Sequence, residues 1–200
     1  GPLPTHYEPN ETPSHNLLYE GQQRNPTRSV PEHPDNPTNP SESDVFPYVL
    51  TTYRLTEHHT AGGMSRTVSY LNELQPEMFC EVDSVLARAR GLEHGGWATI
   101  VTSRTAVEAR VLVTERLQPL AIGGRVVHQV GVPYHWGSRG LTAGDSANDL
   151  FPFALDPNVH IQEVKAATCD IRPGRRPRGP ALRAYVETYR RRAAADGARA

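Results

Sequence analysis

The residues of this chain best suited to chemistry crowd into one short run, Thr51–Arg66, reading TTYRLTEHHTAGGMSR. Arg54, Thr56, Glu57, His58, His59 and Thr60 follow a β-rich stretch, Tyr48–Tyr53, and lead into Ala61-Gly62-Gly63. Arginine and histidine present forked or charged donors to phosphate, and glycine lets a backbone approach a ligand closely. The following SRTVSYLNEL is expected to be helical, with free N–H groups at its start. Together these describe an anion cradle at the end of a strand. Metal ligation is the weaker reading, because Glu57, His58 and His59 are adjacent and alternate faces in an extended chain, whereas a metal needs converging side chains.

Three more places carry polar groups with two readings each. Tyr134 and Trp136, in PYHWG, are either core aromatics or walls of a ligand slot. Asn148, in SANDL, either caps a short helix or offers its amide, donor and acceptor together, to the edge of a ring. Lys165 either snorkels from a strand end or supplies a point charge to phosphate. His94, His128 and His160 stand apart and read as surface or satisfied core residues. Neither a Walker loop, nor a dinucleotide glycine fingerprint, nor a supportable Ser/His/Asp spacing is found.

These groups need a scaffold, and the composition limits it. Two hundred residues with 21 Lys and Arg against 22 Asp and Glu allow one domain with tails and give no bulk charge to attract nucleic acid or membrane. Cys80 and Cys169 sit in apolar strand-like runs and read as buried thiols rather than a disulfide, and neither has a second cysteine at metal-ligand spacing. No run is apolar enough to span a bilayer. The chain opens Gly1-Pro2-Leu3 without Met or leader, as expected of a processed chain or a piece of a longer one.

Residues 1–44, rich in Pro, Asn, Ser and Thr, cannot form a core of their own and are expected to stay disordered or drape over a neighbour as a linker from an upstream domain, with Leu17-Leu18-Tyr19 as the anchor. Folded character runs over residues 45–174. Val68, Leu71 and Leu74 recur at helical spacing. Asp83 or Ser84 is placed to cap Val85–Arg90, with Val85, Leu86 and Ala89 facing inward and Gly91 ending the turn. Trp97–Thr102 and Ala106–Val113 alternate faces about Ser103-Arg104, which predicts a hairpin. Gly123-Gly124 turns into Arg125–Val130, and Lys165–Ile171 is a late strand. Short strands broken by short helices, without long crossover helices, predict a mainly β fold closed into a small barrel. Residues 175–200 form a basic tail in which Pro180–Arg192 sets Leu182, Tyr185, Val186 and Tyr189 on one face of a short helix. Such a tail is most often solvated, and docking on another protein subunit is preferred to nucleic acid.

TTYRLTEHHTAGGMSR, followed in order by PEMFCEV, LEHGGWATIVTSRTAVEARVLVT, GVPYHWG, ANDL and EVKAATCDI, with HYEPNETPSHN ahead of them, resembles the C-terminal molybdopterin dinucleotide-binding domain of molybdenum- or tungsten-dependent formate dehydrogenase large subunits, in the dimethyl sulfoxide reductase superfamily. The resemblance spans about Asp44 to Gly174. It implies a double-psi β-barrel and a bis(molybdopterin guanine dinucleotide) cofactor used to oxidise formate. By match, Thr52, Arg54, Leu55, Thr56, Glu57, His58, His59 and Thr60 would line the pyrophosphate and pterin, with Asn148 and Lys165 contacting the same cofactor. Related members carry an aromatic at the place of His59 and a histidine at that of Thr60. The metal-bound Cys or selenocysteine and the iron–sulfur cysteines of the family lie in upstream domains, so the chain is expected to hold cofactor without turning formate over by itself. Upstream domains of the same subunit and an iron–sulfur electron-transfer subunit are the implied partners. The resemblance suggests a periplasmic or membrane-associated setting, with the cytoplasm as alternative. From another class, a stand-alone β-barrel interaction module is the competing reading.

Overall fold

The computed structural model describes residues 9–17, 20–21, 30 and 33–197. Among the described residues there are eight strands: β1 Tyr48–Tyr53, β2 Phe79–Val82, β3 Trp97–Val101, β4 Ala106–Val113, β5 Leu120–Ile122, β6 Arg125–Val127, β7 Gln129–Pro133 and β8 Ala167–Pro173. Six of them close into a barrel in the order β1-β7-β2-β4-β3-β8, while β5 and β6 make a separate two-stranded ribbon. The pairs β1 with β7 and β2 with β4 are parallel. The remaining pairs around the ring are antiparallel. This is the closed, mainly β architecture that the double-psi resemblance implies.

Alternation along the strands fills the barrel. Leu50, Cys80, Val82, Ile100, Val107, Ala109, Val111, Val130, Val132, Cys169 and Ile171 are all buried in one cluster. β-Branched side chains pack well on a pleated surface. Both cysteines are free, as their apolar settings suggested, and burial pushes the Cys80 thiol up to about 12 and the Cys169 thiol well above its ordinary value.

The β3–β4 hairpin pairs Ile100 with Val107 and Val101 with Ala106 about the expected turn. Helix α2, Ser84–Arg90, is capped by the Asp83 carboxylate, which accepts from the amides of Val85 and Leu86, and ends at Gly91 in the left-handed region. Its buried residues are Leu86 and Ala87 rather than Val85 and Ala89. A two-turn helix packs whichever side meets the barrel, and Asp83 sets that rotation.

Ser65–Leu74 departs further from expectation. It divides into a 3-10 turn, Ser65–Thr67, and a six-residue helix, α1, Ser69–Leu74. The buried side holds Ser65, Arg66 and Asn72, while Tyr70 and Leu74 are exposed. The amides of Arg66, Thr67 and Val68 bond to the carbonyls of Gly62, Met64 and Ser65, so these three donors are spent within the loop.

The described part of the N-terminal segment drapes on the barrel as a strap. Its anchors are polar: Asn10, Glu11 and Asn39 are about 1% exposed, whereas Leu17 is 60% exposed and the other two residues of the expected apolar anchor lie outside the described residues. At the other end α3, Pro180–Gly197, is longer than the predicted helix. It seats Val186, Tyr189 and Ala193, with Leu182 and Tyr185, on Val45, Phe46, Val101 and Ala106. No helix among the described residues is long and apolar enough to cross a membrane.

Candidate functional site

Parallel strands deliver their following loops to the same end of a sheet, and β1 and β7 run parallel with Thr52 beside Val132 and Tyr53 beside Pro133. The Tyr134 amide extends the ladder to the Tyr53 carbonyl at 3.2 Å. Arg54 and Tyr134 therefore leave the barrel side by side, and the Arg54 guanidinium lies 4.1 Å from the centre of the Tyr134 ring. Beyond the ring, the Asn148 amide donates to the Tyr134 hydroxyl at 3.3 Å. The helix cap here is Ser146, which accepts from the Asn148 amide N–H, so the Asn148 side chain is spared that duty. On the other flank the Lys165 ammonium donates to the Thr52 carbonyl at 2.9 Å, and the Thr52 hydroxyl donates to the Val164 carbonyl at 2.7 Å.

Arg54 and Lys165 are exposed and close enough to feel each other: burial, and then the Arg54 charge, lower the Lys165 pKa. Neither makes an ion pair with a carboxylate among the described residues. Two like charges held together by backbone and ring contacts make a place for an anion. From Asn148 a groove of about 470 Å³ extends past Arg104, Asp149, Phe151 and Phe153.

The loop between Arg54 and Arg66 owes its shape to a residue that sequence reading left out. His135 is 1% exposed. Its Nδ1 donates to the Thr60 carbonyl at 2.5 Å and its Nε2 accepts from the Leu55 amide at 2.7 Å. A carbonyl only accepts, so the proton sits on Nδ1 and the ring is neutral. Burial lowers its pKa, with help from the nearby His58 and Arg54. The position has no motif to announce it, since its partners lie about 75 to 80 residues away in sequence.

His58 turns inward. It is 4% exposed, with Nε2 donating to the Gln75 carbonyl at 2.9 Å and Nδ1 accepting from the Ser65 hydroxyl at 3.2 Å. That hydroxyl in turn accepts from the His59 amide. Both ring nitrogens are engaged, so His58 shapes the loop instead of reaching a ligand. Trp136 is likewise core, 3% exposed and edge-on to His58 at 5.2 Å, whereas half-buried Tyr134 is a wall of the site. Thr56, His59 and Thr60 are exposed and Glu57 is half-buried. Thr60 holds a φ of 44°, a costly conformation for a β-branched residue, fixed by the bond from His135.

Arg66 clasps the two loops together. It is 5% exposed and donates through Nε to the His135 carbonyl at 3.0 Å and through Nη1 to the carbonyls of Thr142 at 3.0 Å and Gly137 at 3.4 Å. Gly62 makes the clasp sterically feasible, because a Cβ there would lie 2.0 Å from the His135 carbonyl oxygen. Its glycine serves an approach to the protein's own backbone, where sequence reading had assigned it to a ligand. Of the ten predicted site residues, the structure sets Arg54 and Asn148 on Tyr134 and Lys165 on the Thr52 carbonyl, buries Thr52 with its hydroxyl on Val164, ties Leu55 and Thr60 to His135, and folds His58 away. No group of three or more metal-ligating His, Cys, Asp or Glu occurs among the described residues.

Residues 48–168 match the family model described as Molydopterin dinucleotide binding domain. Among curated proteins the chain is similar to the formate dehydrogenase subunit alpha of Megalodesulfovibrio gigas, 38% identical over 172 residues. It is 40% identical over 175 residues to the nitrate-inducible formate dehydrogenase major subunit of Escherichia coli strain K12. To formate dehydrogenase 2 subunit alpha (cytochrome c-553) of Nitratidesulfovibrio vulgaris it is 36% identical over 172 residues. Each alignment takes in 86% of this chain and 17% of the relative, so the chain spans about a sixth of the length of these proteins.

Proposed function

This chain belongs to the molydopterin dinucleotide binding domain family, and on that premise we propose that it is the C-terminal cofactor-gripping part of a formate dehydrogenase large subunit. The similarity to formate dehydrogenase alpha and major subunits supports the choice of enzyme. The observation that carries the reading is the cation pair Arg54 and Lys165, without a carboxylate partner among the described residues and set at one barrel end with Tyr134 and Asn148. A dinucleotide brings a doubly charged pyrophosphate, and the donor set suits it: charge-assisted bonds to an anion are roughly twice as strong as neutral ones.

Arg54 and Lys165 would hold the pyrophosphate, and the Tyr134 ring with the Asn148 amide would border the adjoining heterocycle. Thr56, His59 and Thr60 stand exposed on the same loop as further contacts. The cofactor, proposed as bis(molybdopterin guanine dinucleotide) with molybdenum or tungsten, supplies the two-electron chemistry of formate oxidation when bound. This chain's residues bind it, orient it and shield it from water. The metal-bound Cys or selenocysteine and an iron–sulfur cluster are assigned to upstream domains of the same subunit, and an iron–sulfur electron-transfer subunit is the proposed partner.

Arg54→Ala in the complete subunit tests this. Metal and guanine nucleotide per protein should fall several-fold after gel filtration, with the melting temperature of cofactor-free protein moved by less than 2 °C, roughly the effect of removing an exposed surface group. Normal metal and nucleotide content in the variant would overturn the assignment.

A further inference from the structure

Asn148 stands on a four-residue 3-10 turn, Ala147–Leu150, too short to hold its own position. The group that fixes it comes from elsewhere. Arg104, at the β3–β4 turn, donates to the Leu150 carbonyl twice, from Nε at 2.9 Å and Nη2 at 2.7 Å. Its Nη1 donates to Glu11 at 2.5 Å and to the Pro37 carbonyl at 2.7 Å, and Nη2 reaches the second Glu11 oxygen at 3.2 Å. The side chains of this pair are 4% and 0% exposed.

Glu11 is itself held: one oxygen accepts from the Asn39 amide at 2.7 Å and the other from the Thr168 amide at 3.1 Å. Asn39 then bridges the strap to the barrel, accepting from the Ser103 amide at 2.8 Å and donating to the Thr168 carbonyl at 2.8 Å. A planar guanidinium with five fixed donors fits this set of acceptors, and an ammonium does not. We infer that Arg104, locked by Glu11, is a positioning residue for the Asn148 amide, so that seating of the N-terminal strap governs grip on the dinucleotide.

The inference rests on Asn148 touching the bound dinucleotide, and the test separates the two ideas. In the complete subunit, Arg104→Lys, Asn148→Ala and the double variant are compared by the rate at which guanine nucleotide is lost on dilution, with thermal melts of the same samples. Each single variant should lose nucleotide about tenfold faster, about the effect of one hydrogen bond to an anionic or polar ligand. The double variant should be no faster than Asn148→Ala alone, because the two act as one unit. Multiplying effects in the double variant would overturn the positioning role while leaving the Asn148 contact standing. An unchanged rate in Asn148→Ala would remove the contact and the inference with it. Should Arg104→Lys not accumulate as folded protein, Glu11→Gln takes its place in the cycle with the same expected outcomes.

Discussion

At His135 the loop's geometry depends on an uncharged ring. One nitrogen must keep a lone pair for the Leu55 amide while the other gives its proton to the Thr60 carbonyl. Burial depresses the folded pKa below the ordinary 6.5, so the unfolded chain takes up the proton first on acidification. The stabilisation is in place above pH 6.5 and is lost as the pH falls through the folded value. Protection of the Leu55 amide against hydrogen exchange, taken relative to its intrinsic rate at each pH, should therefore fall as the pH drops below 6.5, and this loss should vanish in His135→Gln. Equal pH dependence in both proteins would contradict the tautomer. The contrast with His58 is instructive: adjacent to His59 in the sequence, it offers its ring to Gln75 and Ser65, and adjacency alone could say only that the two point opposite ways.

Among the elements, what the sequence made legible was local. The β3–β4 hairpin is legible from alternation about Ser103-Arg104, and α2 from its two punctuation residues, Asp83 and Gly91. Most strands of a small closed barrel are legible from spacing, but the expected run Arg125–Val130 divides between the ribbon strand β6 and the barrel strand β7. What stayed hidden depends on distant partners. Ser65–Leu74 reads as amphipathic with Val68, Leu71 and Leu74 inward, yet the buried side is formed by Arg66 and Asn72, because Arg66 donates to the carbonyls of His135, Gly137 and Thr142 while Asn72 accepts from the Thr142 hydroxyl. The strap's polar anchors, Glu11 and Asn39, resemble ordinary surface residues until Arg104 and Thr168 are placed beside them. His135 and Arg66, which give the Arg54–Arg66 loop its form, are missing from the candidate residues of the sequence reading for the same reason. At α2 the cap is open to measurement. Asp83 accepts from two helix amides and from His128 at 2.6 Å, and although burial pulls its pKa up, the Leu86 amide and His128 hold it below normal. Asp83→Ala should cost about 1–2 kcal/mol in urea unfolding, and Asp83→Asn less, since asparagine keeps the cap and loses only the charge on His128. Equal losses would mean that the His128 contact, and not the cap, carries the stability.

For the whole molecule, the basic run after β8 proves to be internal fastening. Arg175 and Arg178 both pair with Glu108, each at 2.6 Å, and Arg176 grips Asp145 with two bonds of 2.6 Å. Much of its charge is therefore spent on the barrel itself. Burial pulls the Glu108 carboxyl up, but Arg178 and Arg175 outweigh it and hold it at about 2. Because the folded pKa lies below the ordinary 4.5, the clamp's contribution is complete above that value and disappears as the pH falls toward 2. Wild type and Glu108→Gln should thus differ in stability by a constant amount above pH 5 and converge on acidification; a difference undiminished at pH 2.5 would show that the variant loses packing instead of charge.

One further property comes from the ring of strands itself. With β8 returning to β1, each of the six has a neighbour on both sides, so the cylinder presents no raw margin onto which a stranger's backbone might zip. Among the described residues, only the ribbon of β5 and β6 keeps an outer rim, three residues long on each strand. A chain that spans about a sixth of the length of its relatives is thereby spared one route by which isolated sheets clump.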